Sequence, residues 1–186
     1  MTFSCKALKM KTSEIHKKEA PKSVRFAFVT ISTSRYHALR IGEEFEDISF
    51  NIAKEVITST GHQLTRYVLI PDSPRLLLAT ALNLIEDKDV DAIIFSGGTG
   101  PTPDDITVQT LRPLFDKELE GFGDVFRGIS FQEAGSSSFL SNATAGLVAG
   151  KVFFLLPGSP TAVETALRKL ICPEAGHIIA LARRKL

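Results

Sequence analysis

The chain has 186 residues, with 22 basic against 21 acidic side chains and a formal net charge of +1. That is about one domain's worth of polypeptide, and it carries no basic footprint for nucleic acid. Its longest apolar runs fall far below the ~20 residues a membrane span needs, and the start MTFSCKALKMKTSEIHKK lacks the apolar centre of a secretory leader.

Cys5 and Cys172 show neither metal-knuckle nor disulfide spacing, so a reducing, cytoplasmic setting is expected. Residues 1–22 carry Lys6, Lys9, Lys11, Lys17, Lys18 and Lys22 with few bulky apolar side chains. They are expected to form a disordered basic extension ahead of a single domain over 23–186. VRFAFVTI (24–31) is almost continuously apolar, as a strand buried on both faces is. The next helix places Phe45, Ile48, Ile52 and Val56 on one face, and Gly61 is positioned to end it in the left-handed conformation.

HQLTRYVLI (62–70) reads as the second strand. Pro74 opens a helix whose buried stripe is Leu77, Leu78, Ala81, Leu84 and Ile85 and which stops near Asp87. DAIIFSG (91–97) gives a third strand, and a helical stretch after Asp105 is broken at Pro113. KVFFLLPG (151–158) is a further strand, residues 160–171 a helix, and HIIALARRKL (177–186) a last short helix. Strands alternating with helices predict an α/β fold, a mostly parallel sheet with helices on both faces. Ligands of such a sheet bind at its carboxyl edge, onto which the loops beginning near Ile31, Ile70, Phe95 and Leu156 all open.

Two of those loops contain glycine. SGGTGPTPDD (96–105) supplies Gly97, Gly98 and Gly100, whose bare backbone allows positive φ and lets N–H groups form an anion nest. A tight turn is the simpler reading of GGTG alone, since it matches no established phosphate-loop pattern. PGSP (157–160) repeats the arrangement, with Ser159 at a helix start. A pair of such exits favours a nucleotide-sized polyanion. The strand exits also carry carboxylates, Asp72 in IPDSP and the pair Asp104 and Asp105. Carboxylates beside phosphates suggest Mg²⁺, which is typically held by one or two protein carboxylates together with the substrate's phosphate oxygens. Structural roles stand equally open: a turn residue for Asp72, and the fourth position of a Thr102-x-x-Asp105 capping box for Asp105.

The VTIS strand, IPDS, SGGTGPTPDD, LFDKELEGFGDVFRGISFQEAG (114–135), LSNATAGL (140–147) and LPGSP together resemble the molybdopterin adenylyltransferase family, closest to its MoaB branch, from about Val24 to Pro173. The resemblance implies a three-layer α/β/α sandwich assembled as a homotrimer or hexamer. It also implies transfer of AMP from Mg²⁺-ATP to the phosphate of molybdopterin. Carried over by position, Asp72 and Asp105 match the family's functional, metal-linked aspartates. Ser96, Gly97, Gly98, Thr99 and Gly100, with Pro157, Gly158 and Ser159, match its nucleotide loops, and Thr30, Ser32, Thr33 and Ser34 are expected to meet the pterin or its phosphate. Relatives place the helix cap at the position of Thr107 with the helix from Val108, which sets Asp105 at the mouth of the helix and turns Asp104 elsewhere.

Two positions depart from the family pattern. Relatives show Asp-x-Ser-Gly where this chain has Asp47-Ile48-Ser49-Phe50, and Leu-Ser-Arg where Asn142 follows Leu140 and Ser141. The alternatives are a pterin-binding carrier or scaffold, or a CinA-like nucleotide pyrophosphatase. Leu114 to Phe131 is expected to contribute to subunit contacts, because Phe115, Phe122 and Phe126 exceed what one core obviously needs.

Overall fold

The computed structural model describes residues 20–184. In chain order its strands are β1 (Arg25–Ile31), β2 (Gln63–Ile70), β3 (Ala92–Ser96), β4 (Lys117–Glu118), β5 (Thr144–Val148) and β6 (Lys151–Leu156). Its helices are α1 (Thr33–Ile41), α2 (Ile48–Ser59), α3 (Pro74–Glu86), α4 (Thr107–Leu111), α5 (Glu120–Ala134), α6 (Pro160–Ala166) and α7 (Cys172–Ala182). One six-stranded sheet runs β2-β1-β3-β6-β5-β4. The four strands from β2 to β6 are parallel, while β5 is antiparallel to both of its neighbours. The exits of β1, β2, β3 and β6 therefore share one edge, and the start of β5 joins them there.

Alternation along the parallel strands divides the apolar side chains between two layers. Phe26, Phe28, Ile94, Val152 and Phe154 face Ala53, Val56, Ile57, Phe126, Val163 and Ile171 on one side. Ala27, Val29, Ile93, Phe95, Phe153 and Leu155 face Leu77, Ala81, Leu84 and Leu111 on the other. This is the expected α/β sandwich, with β1, β3 and β6 buried on both faces.

Several elements differ from the sequence expectation. The buried face of α2 is Ser49, Ala53, Val56 and Ile57, while Ile48 is 48% exposed and Phe45 precedes the helix. Small residues at 49 and 53 let the helix lie close to the sheet, so bulk marked the wrong stripe. In α3, Leu78 is likewise exposed. The run from Pro160 reaches Ala182 through a π-helical turn at Leu167–Ile171, directly ahead of Pro173. A proline there would clash with an ordinary α ladder. Of the three phenylalanines expected at a subunit contact, Phe126 is fully buried, and Phe122 packs against Phe126 and Phe154. Phe115 lies against Gly146, where a Cβ would fall inside its ring. All three belong to the core. The exposed apolar side chains of this region are Val125, Phe131, Phe139 and Leu140.

Only the last three residues of the 1–22 extension are described; the rest lies outside the described residues, and the Pro21 carbonyl rests on Gly176 of α7. No helix among the described residues is long and apolar enough to cross a membrane.

At the opposite edge of the sheet, Asp91 is buried and receives Arg25 Nε at 2.9 Å, the Arg25 N–H at 2.9 Å and Arg183 Nη2 at 2.6 Å. Burial pushes its carboxyl up, but the bonds from Arg25 and Arg183 outweigh this and hold it far below the usual range. A carboxylate whose folded pKa is depressed contributes stability above its unfolded value of about 3.9 and loses that contribution as pH falls through the folded value. Asp91→Asn is therefore expected to lower the urea midpoint clearly at pH 7, with the gap from the parent narrowing toward pH 2.5. A gap equal at both pH values would overturn this account.

Candidate active site

Three strand exits meet through bare backbone. Gly97 N–H donates to the Leu156 carbonyl at 2.9 Å, with φ +120° at Gly97, where a Cβ would overlap the Ile31 carbonyl. The Cβ position of Gly158 lies 3.4 Å from the Gly97 Cα. Side chains here would push the exits of β1, β3 and β6 apart, so the glycines bring the two loops together. Ser96 is buried and donates to the Pro157 carbonyl at 3.4 Å. Ser159 caps α6 by accepting from the Ala162 N–H at 3.3 Å.

The GGTG loop runs past two carboxylates. The Cβ position of Gly98 is 3.4 Å from Asp72 Oδ1, and that of Gly100 is 2.6 Å from Asp105 Oδ2. Asp72 Oδ2 accepts from Thr33 N at 3.1 Å and Thr33 Oγ1 at 2.7 Å, and Asp72 N–H donates back to Thr33 Oγ1 at 3.0 Å. The exits of β1 and β2 are thereby clamped together, and Oδ1 is left on the Gly98 side. Asp105 Oδ2 accepts from Thr102 N at 2.9 Å and Thr102 Oγ1 at 2.7 Å. Burial raises the Asp105 carboxyl, yet bonds from Thr102 and Gly100 prevail and hold it below the ordinary carboxylate range. The Thr102-x-x-Asp105 closure is thus present, but as a turn rather than a helix start. The helix begins at Thr107, one residue earlier than expected, because Thr107 Oγ1 donates to the Gly97 carbonyl at 2.8 Å and its N–H to the Gly98 carbonyl at 3.0 Å. Asp104 is exposed.

Of the four residues expected to meet the pterin, Thr30 is only 2% exposed and donates to Asp47 at 2.6 Å, which removes it from the surface. Ser32 caps α1, and Thr33 and Ser34 are exposed at its start. Asp47 is a buried hub that also caps α2 through the Phe50 N–H at 3.0 Å and accepts from Tyr67 at 2.9 Å. Burial first, and then Asp47, pushes the Tyr67 hydroxyl up to about 12. Phe50 packs against Tyr67 with ring centroids 4.0 Å apart and the rings tilted by 38°, so the larger side chain at this departure is taken up by packing.

Sequence reasoning missed two supports. Ser49 Oγ donates to the Gly158 carbonyl at 2.8 Å, holding the PGSP loop from α2. Asn142 N–H donates to the Thr99 carbonyl at 2.9 Å, and its Nδ2 donates to the Gly100 carbonyl at 3.1 Å. The start of β5 thus pins two carbonyls of GGTG and fixes the path of the loop. The serine could have been read from the preserved Asp-x-Ser, whereas Asn142 had no local signal. Asn142→Asp would set an acceptor against the Gly100 carbonyl. It is expected to weaken nucleoside triphosphate binding by about tenfold, the scale of losing one hydrogen bond and adding repulsion. Calorimetric titration with a non-hydrolysable triphosphate tests this, and an unchanged affinity would show that the backbone bond suffices.

Among the described residues no group of three or more His, Cys, Asp or Glu is placed to hold a metal ion. Mg²⁺ does not require one, since it is commonly bound by one or two carboxylates with substrate phosphates completing its shell. Asp72, with Oδ1 turned toward the glycine loop, fits that requirement, and so does Asp105 against Gly100.

The family model described as "Probable molybdopterin binding domain" matches residues 27–177. The chain is 42% identical over 164 residues to the molybdenum cofactor biosynthesis protein B of Bacillus cereus, covering 88% of this chain and 93% of that protein. It is 39% identical over 174 residues to the molybdopterin adenylyltransferase of Pyrococcus furiosus, covering 91% and 98%. The crystal structure of the tungsten cofactor synthesizing protein MoaB from Pyrococcus furiosus superposes with a TM-score of 0.77 at 37% identity, over 89% of this chain and all of that one.

Proposed function

The chain belongs to this molybdopterin-binding domain family, and from that premise we propose that it is a molybdopterin adenylyltransferase of molybdenum or tungsten cofactor biosynthesis. The observation that carries the reading is the meeting of two glycine loops at one edge of the sheet, with Gly98 against Asp72 and Gly100 against Asp105. In the reaction a terminal phosphate oxygen of molybdopterin attacks the α-phosphorus of ATP. The new P–O bond joins AMP to the pterin, the α–β bond breaks, and pyrophosphate leaves. A phosphate is already ionised near neutral pH, so the nucleophile needs no general base, and catalysis rests on alignment and charge neutralisation.

The N–H groups of Gly98 and Thr99, with those of the PGSP loop, hold the nucleotide phosphates. Thr107 and Asn142 fix the first loop, and Ser49 fixes the second. Asp72 and Asp105 would hold Mg²⁺, which would supply the charge neutralisation that two polyanionic substrates require. The protein acts in the cytoplasm as a homotrimer or a hexamer built from trimers, and light scattering that returned a monomer mass would remove the assembly part of this reading. Incubation of purified protein with molybdopterin and Mg²⁺-ATP tests the activity. Pyrophosphate and adenylylated molybdopterin in equal amounts are expected. ATP consumption without molybdopterin, or binding without turnover, would overturn it in favour of a pyrophosphatase or a carrier.

A further inference from the structure

The glycine loop proposed to carry the nucleotide phosphates is shaped from outside itself. Asn142 holds the Thr99 carbonyl with its N–H at 2.9 Å and the Gly100 carbonyl with its Nδ2 at 3.1 Å, so the peptide planes directly after the Gly98 and Thr99 N–H groups take their orientation from one residue. The placement of Asn142 therefore decides the shape of the loop. Asn142 is itself exposed and precedes the ladder of β5 with β6, which begins at Thr144. With Ala143 and Thr144 it borders an open cavity of about 690 Å³, so packing does not hold this stretch on the cavity side.

Arg127 of α5 supplies the hold. Its Nη1 donates to the carbonyls on either side of Asn142, to Ser141 at 3.3 Å and to Ala143 at 3.4 Å. Its Nη2 donates to Asp124 Oδ1 at 2.8 Å, about one helical turn earlier on the same face. The Asp124 side chain is 78% exposed, and an ion pair so open contributes little to stability. Its effect is to aim the guanidinium, whose planar fork keeps the two donor directions fixed relative to each other. The helix that carries Arg127 is anchored in the core, because Phe122 packs against Phe126 and Phe154. Gly123 completes the fit. A Cβ there would lie 2.5 Å from the Ala143 carbonyl oxygen and 2.9 Å from Arg127 Nη1, so bare backbone at this position is what lets α5 close on the 141–143 segment.

We propose that Arg127 is a positioning residue for nucleotide binding, which brackets Asn142 and thereby sets the path of the GGTG loop; the role rests on the reading of that loop as the phosphate site. The guanidinium acts through Asn142 and not on the nucleotide. Its loss should therefore weaken the bound triphosphate, and should matter only while Asn142 holds the loop. A side chain that served folding alone would lower stability without that dependence.

The test is a double-mutant cycle on the full chain, with Arg127→Met, Asn142→Ala and the double variant titrated calorimetrically with a non-hydrolysable ATP analogue and Mg²⁺. Each single variant is expected to raise the Kd about fivefold, the scale of one hydrogen bond. Because both act on the same two loop carbonyls, the double variant is expected to stay below about tenfold, short of the roughly 25-fold that independent positions would give. A folded Arg127→Met that bound the analogue as the parent does, or a double variant at the full product, would overturn the proposal while leaving the phosphate loop standing. If Arg127→Met does not fold, Arg127→Lys, which keeps the charge and the stem but not the fork, goes through the same cycle under the same criteria. A parent that did not bind the analogue would overturn the phosphate reading and the proposal together.

Discussion

Asp105→Asn is expected to lower AMP transfer by on the order of 10²-fold or more at saturating Mg²⁺, comparable with the loss of one preorganised electrostatic group. The side chain does two things, and the substitution separates them. Its Oδ2 closes the 102–105 turn by accepting from Thr102 N and Oγ1, and its carboxylate lies against Gly100 beside the phosphate loop. Asparagine keeps an acceptor oxygen of the same size but loses the charge, so the turn survives with weaker bonds. The cost to folding is about 1 kcal/mol, the difference between charged and neutral hydrogen bonds. Thr102→Val is the complementary variant, since it removes the Oγ1 donor and leaves the charge. It is expected to reproduce the stability loss with little effect on rate. Asp104→Asn, at an exposed position, is expected to change neither by more than about twofold, the range of ordinary surface substitutions. Steady-state transfer rates and melting curves for the three variants decide the matter. A larger loss at Asp104, or a loss at Asp105 matched by Thr102→Val, would leave Asp105 as a turn residue only.

The division between what the sequence revealed and what it hid follows from where each signal resides. Strands buried on both faces announce themselves by continuous apolarity, so β1, β3 and β6 and the carboxyl edge they define were legible, and with them Asp72, the GGTG loop and PGSP. The antiparallel β5 was not. Its TAGLV contains small residues because the Phe115 ring covers Gly146, and that requirement exists only once the sheet has formed. α5 was hidden for a related reason. Gly121, Gly123 and Gly128 lower its intrinsic helix propensity, and packing of Phe122 and Phe126 on Phe154 overrides it. Thr30 looked like a site residue because it stands at a strand exit, but the buried Asp47 that claims it is 17 residues away in sequence. Asn142 bonds to Gly100 across 42 residues. Contacts of that range leave no local pattern, and they are the ones that set the shape of the glycine loop.

Gly98→Val is expected to weaken nucleotide binding by on the order of 10²-fold, about 2.7 kcal/mol, and to lower the melting temperature as well. Gly98 has φ +63°, a region that costs an L-residue roughly 1–2 kcal/mol and suits a β-branched one least. Its first side-chain carbon would lie 2.5 Å from Thr107 Oγ1 and 3.4 Å from Asp72 Oδ1. Relief of the first contact breaks the Thr107 bond to the Gly97 carbonyl and loosens the start of α4, while the second methyl presses on the carboxylate proposed to hold Mg²⁺. Backbone strain and site damage therefore come together in one variant, and a second glycine separates them. Gly61 has φ +84° with no atom within 4 Å of the Cβ position, at the end of α2. Gly61→Val should incur the backbone strain without the collision, so it is expected to lose stability and keep nucleotide affinity. Calorimetric titration of both variants with a non-hydrolysable ATP analogue, alongside thermal melts, reads the two effects independently. If Gly98→Val remained folded and bound the analogue as the parent does, the GGTG segment would be a strand-to-helix turn and the phosphate-cradling role would fall. If Gly61→Val lost binding in step with its stability, the deficit at Gly98 would reflect general loosening of the fold rather than the loss of bare backbone beside Asp72.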